Sequence, residues 1–138
     1  MVLLRAYHSR IFRFRFAIAL ACGAGIVVLS LMPAASMPTI PLLGWDKLQH
    51  ATAYAVLTFL VGRAFDVLTP ASFHGWRVGA LVAVMFGGVM EILQRVCTTT
   101  RSADVYDLLA DACGAVTIIV VVALFRRTAC ASERRHVG

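Results

Sequence analysis

The side chains of this chain best suited to chemistry fall into three short groups. Asp46, Lys47, His50 and Tyr54 form the first, Glu91, Gln94 and Arg95 the second, and Arg101, Asp104, Asp107 and Asp111 the third. A helix repeats about every 3.6 residues, so positions 46, 50 and 54, with 47 beside them, share one stripe. The other two groups, spaced by three and four, do the same. An imidazole among carboxylates can relay protons or ligate a divalent ion, and lysine or arginine among carboxylates forms charge-assisted hydrogen bonds. No HExxH pattern occurs, and no serine or cysteine stands beside an activating base. No metal, cofactor or catalytic residue is therefore assigned. Two uses of the groups stay open: an ionic clamp between helices, or a pocket for a polar ligand. Acid–base work by His50 with Glu91 or Asp111 is the enzymatic alternative.

The surroundings of these groups decide what must position them. The 138 residues are 60% hydrophobic and 14% charged, with a mean hydropathy of +0.83, outside the range of water-soluble domains. A membrane span takes about 20 apolar residues. Four segments meet that length: about 14–32, 46–65, 76–94 and 104–125. Pro33, Pro38 and Pro41 make the first connection stiff and extended. The expectation is an all-α, integral membrane four-helix bundle of one domain over 14–125. A basic stretch, 1–13, precedes it, and a basic tail without fixed structure, 126–138, follows. Small-residue pairs at a spacing of four, such as Ala51 with Ala55, Ala83 with Gly87 and Ala110 with Gly114, predict close helix packing.

Orientation follows from the basic residues, which are retained on the cytoplasmic side. Ten of the thirteen lysines and arginines flank one set of span ends, and only Lys47, Arg95 and Arg101 flank the other. Both termini are thus expected inside, in a multi-pass protein of the plasma membrane, and the three polar groups come together at the outer face. Depth argues that they converge, since an ionisable side chain at the bilayer centre costs at least about 2.5 to 3.5 kcal/mol unless it meets a partner or water. Asp111 would lie roughly 10 Å below Asp104 at about 1.5 Å per residue. The predicted arrangement has Lys47, His50 and Arg101 neutralising Glu91, Asp107 and Asp111. The net charge of +6 is accounted for by this topology, so no nucleic-acid partner is expected. Lipid is the expected partner, with homo-oligomerisation left open. A signal cleaved near Ala34 and Ser36 is the rival to an uncleaved first helix. Trp45, Trp76 and Tyr106 are read as headgroup-layer anchors.

The segments DKLQHATAYAVLTFL, GGVMEILQ and RSADVYDLLADACGA together resemble the VanZ-like family of small bacterial membrane proteins, over about residues 46–114. By that resemblance Asp46, Lys47, His50 and Tyr54 fall on a DKxxHxxxY pattern, Glu91 and Gln94 on ExxQ, and Arg101, Asp107 and Gly114 on the last motif. Asp111 stands where many relatives carry Asn, and Thr99 and Thr100 replace the usual Pro-Gly. The resemblance implies a role at the cell envelope and in the response to glycopeptide antibiotics such as teicoplanin, and no particular reaction. A membrane enzyme acting on a lipid-linked envelope substrate is the alternative function.

The topology has a direct check. A membrane-impermeant thiol reagent added to intact cells should modify Cys97 and spare Cys130, and the reverse pattern would turn the polar groups toward the cytoplasm.

Overall fold

The computed structural model describes residues 2–32, 46–70, 72–98 and 104–136. These form four α-helices: α1 (Val2–Leu31), α2 (Asp46–Asp66), α3 (His74–Cys97) and α4 (Val105–His136). The described residues contain no strand. Arg101, Thr99, Thr100, Trp45 and the proline-rich connection lie outside the described residues.

Two helices run further than expected. α1 starts at Val2 rather than near Phe14, and α4 continues to His136 through the stretch read as an unstructured tail. The reason is local. Neither extension contains a proline or glycine, and leucine, alanine and arginine are strong helix formers. A basic charge pattern marks where a span leaves the membrane, not where its helix stops.

Three stretches are long and apolar enough to cross a membrane: Tyr7–Leu31, His74–Cys97 and Val105–Ala129. α2 is 21 residues long but is the least suited to lipid, because Asp46, Lys47, Gln49, His50, Arg63 and Asp66 interrupt it. Its place in the bundle explains how it is tolerated. α2 packs against α1, α3 and α4, whereas α1 and α4 do not touch one another among the described residues. Tyr54, Leu57 and Val61 of α2 bury themselves with Ala19 and Ile26 of α1 and Ala83 of α3. Leu81, Met85 and Ile92 of α3 and Val116, Val120 and Leu124 of α4 face outward, an apolar exterior that lipid would solvate.

α2 and α4 run parallel, since Lys47 meets Asp107 at one end and Asp66 meets Arg126 at the other. Between these ends the backbones nearly touch. A methyl group on Gly114 would strike the Ala51 carbonyl and crowd the Ala55 amide. Of the small residues at four-residue spacing, Gly114 thus lies against the Ala51–Ala55 pair. Gly114→Ala should force α2 and α4 apart at an overpacking cost of about 1–3 kcal/mol. Gly88→Ala, with open space around it, should leave thermal unfolding in detergent unchanged or slightly improved. Equal melting of the two variants would contradict this crossing.

Candidate functional site

The site is built on the first turns of α2 and α4 and the last turns of α3. Asp104 immediately precedes α4 and caps it, its Oδ1 accepting the Tyr106 N–H at 2.8 Å. The Asp104 N–H in turn donates to Glu91 Oε2 of α3 at 2.7 Å. Glu91 therefore holds the start of α4 through the backbone, where the helix dipole favours a negative charge. Lys47 reaches across from α2. Its Nζ donates to Asp104 Oδ2 at 2.6 Å and to Asp107 Oδ1, with Asp46 Oδ2 at 3.7 Å.

One turn further along α2, His50 Nδ1 lies 3.0 Å from Asp111 Oδ1. Its other nitrogen, Nε2, is 3.9 Å from Asp107 Oδ2, too far for a hydrogen bond. The Asp111 side chain is 1% exposed, and its Oδ2 has no hydrogen-bond partner among the described residues. Gly87 of α3 makes room for it, since any Cβ there would run into that oxygen. Tyr54 is buried below His50, the two rings parallel with centroids 6.5 Å apart.

Of the sequence-predicted residues, Lys47, His50, Glu91, Asp104, Asp107 and Asp111 come together, with Asp46 exposed at their edge. Gln94 does not join them. It is buried, and its Nε2 donates to the Ser30 carbonyl at 3.2 Å, tying the end of α1 to α3. Within the expected set Lys47 meets Asp107 and His50 meets Asp111; the differences are that Asp104 joins Lys47 as a second carboxylate and that Glu91 is answered by a backbone amide. Arg101 lies outside the described residues. Outside the helices, Lys47 and then the Tyr106 amide hold the Asp104 carboxyl below the usual carboxylate range. Its contribution to stability is therefore present above the unfolded carboxylate pKa and is lost as pH falls through the lowered value.

A second cluster, at the opposite end, was not anticipated from the sequence. Asp66 Oδ1 accepts from Arg126 Nη2 and from Trp76 Nε1 at 3.1 Å, while Arg126 Nη1 donates to the Ser72 carbonyl at 2.9 Å. Trp76 is 4% exposed, so it is not the headgroup-layer anchor expected of it. The available signal was Asp66 itself, a lone carboxylate in an arginine-rich flank. On the same side Arg15 of α1 donates to the Arg63 carbonyl at 3.0 Å. Arg15, Arg63 and Arg126 thus share one end of the bundle, opposite Lys47.

No family model, curated protein or solved structure matches the chain. The site's chemistry therefore rests on its own geometry. It can accept hydrogen bonds through carboxylate oxygens, hold a cationic group, and orient an imidazole by a buried carboxylate.

Coupling at Lys47 is measurable. Lys47→Met leaves Asp104 and Asp107 facing each other without their shared cation, and should lower the thermal unfolding midpoint in detergent. Adding Asp107→Asn should restore part of that loss. Purely additive losses in the double-mutant cycle would show that Lys47 does not bridge the helices.

Proposed function

We propose that this chain is a VanZ-like integral membrane protein of the bacterial cell envelope whose polar cluster opens at the outer face and engages a polar envelope ligand. The observation that carries this reading is convergence. Residues from the three separate resembling segments, Lys47 and His50, Glu91, and Asp107 with Asp111, meet around one point although α2, α3 and α4 contribute them independently. Ionisable groups gathered in this way inside a membrane mark functional sites by default.

The direction of the opening follows from charge. With the arginine-rich end retained in the cytoplasm, both termini lie inside and the carboxylate cluster faces out. Its acceptors suit a ligand that donates hydrogen bonds, a hydroxyl- or amine-bearing cell-wall or lipid headgroup. The enzymatic reading retains one specific support, the His50–Asp111 pair at 3.0 Å, which has the form of an oriented general base. Loss of turnover of a lipid-linked substrate by purified His50→Gln protein would favour it.

The test of the binding reading uses charge-neutral, near-isosteric changes. Glu91→Gln and Asp107→Asn should abolish the envelope phenotype, read as teicoplanin susceptibility, while the protein still accumulates in the membrane. Arg101→Ala extends the series to the last motif. Intact phenotypes with normal insertion would remove a ligand role, and loss of accumulation would make the cluster a structural clamp.

A further inference from the structure

We propose that Asp46, His50 and Asp107 bind a divalent transition-metal ion of the zinc class, with Asp111 as the positioning residue that holds the imidazole. The inference deepens the pocket reading and rests on it for access from the outer rim.

The geometry supplies the donor set. One ligand atom from each of Asp46, His50 and Asp107 lies within 4.8 Å of the others. Zinc takes imidazole nitrogen at about 2.0–2.1 Å and carboxylate oxygen at about 2.0–2.2 Å, so two donors on one ion stand at most about 4.3 Å apart. His50 Nε2 and Asp107 Oδ2, at 3.9 Å, already fit that span without bonding to each other. Asp46 is at the first position of α2 with a 60% exposed side chain, so rotation about its χ angles closes the remainder.

The second observation is independent of the donors. A metal-bound histidine characteristically gives its other ring nitrogen to a carboxylate, which fixes the tautomer and raises ligand basicity. His50 does this, with Nδ1 on the buried Asp111 and Nε2 turned toward Asp107. Asp111 meanwhile keeps one buried oxygen, Oδ2, without a hydrogen-bond partner among the described residues. Lys47 occupies Asp107 Oδ1 and leaves Oδ2 to face the imidazole, while its ammonium stands 3.7 Å from Asp46 Oδ2, so Asp46 must turn from the ammonium to reach the ion. Nitrogen and oxygen donors together favour zinc over magnesium or calcium, which prefer all-oxygen shells. Three protein ligands leave a fourth position open at the exposed Asp46 side, where an oxygen of a bound headgroup could coordinate.

The experiment uses the full chain, tag-free and purified in detergent, titrated with Zn2+ against a chromogenic chelator and, separately, with Co2+ followed by visible absorption. One ion per chain should bind, giving a cobalt spectrum without thiolate charge transfer. Asp46→Asn should weaken binding at least about 10-fold and His50→Gln should abolish it, while Asp111→Asn should weaken it about 10- to 100-fold, as second-shell carboxylates do. Should His50→Gln fail to fold, the exposed Asp46 variant still decides. Absence of saturable binding, affinity unchanged in Asp46→Asn, or a thiolate band from the cysteines would each overturn the proposal. Because no headgroup is needed, the two readings separate. A phenotype lost in Asp107→Asn without zinc uptake by wild type refutes the metal and keeps the pocket, and zinc uptake with intact phenotypes does the converse.

Discussion

The bundle depends on the ammonium of Lys47 joining the start of α2 to the first turn of α4. An amine set between apolar helices must find partners or stay in contact with water. It finds two carboxylates on one helix turn, Asp104 and Asp107. One of these is also the N-cap of α4, and its backbone is held by Glu91 of α3. A single cation thus fixes where α4 begins, how it is rotated and which side of α3 it meets. Elsewhere in an apolar bundle such information is weak, since lipid competes equally for every leucine and valine.

The same logic recurs at the other end with the signs exchanged. Lys47 to Asp66 on α2 and Asp107 to Arg126 on α4 are both separations of 19 residues, each about 28 Å of helix at about 1.5 Å per residue. That is close to the roughly 30 Å of a hydrocarbon core. Two parallel helices of matched length are therefore pinned by ion pairs at both ends, with Gly114 against Ala51 letting their backbones meet between. A shift of one helical turn would break both pairs and drive a side chain into the Ala51 carbonyl. Register here comes from charge at the ends and the absence of a Cβ in the middle.

What could be read in advance follows from what is local. The polar stripes were legible because helical period alone places 46, 47 and 50, or 104, 107 and 111, on one face, and because isolated ions in lipid are too costly to leave unpaired. The identity of the pairs was not legible. Whether Lys47 meets Glu91 or Asp104 depends on the rotation of α3 and α4 about their axes, which no single segment encodes. Trp76 shows the same limit: an aromatic at a span boundary has the composition of a lipid anchor, and only the arrival of Asp66 from α2 turns it inward as a hydrogen-bond donor. α2 was recognisable as long enough to span. Its central position, which lets it carry so many polar groups, emerges only when three other helices cover it.

The two ion-pair clusters differ in a way that bears on which of them does more than hold helices together. At the Asp66 end one carboxylate faces one guanidinium, and the remaining donors come from an indole and the acceptors from a carbonyl, so the group is balanced and its bonds are accounted for. At the Lys47 end Asp46, Glu91, Asp104, Asp107 and Asp111 gather around one lysine and one histidine. Even with Arg101 added, the carboxylates outnumber the permanent cations. The surplus is least costly at Asp46 and Asp104, which water reaches, and most costly at the buried Glu91 and Asp111, whose desolvation must be offset by the groups they meet. The α4 dipole and the Asp104 amide offset part of that cost. Among the described residues Asp111 Oδ2 has no hydrogen-bond partner and Asp46 is exposed at the rim, so these are the two carboxylates that the contacts between helices engage least.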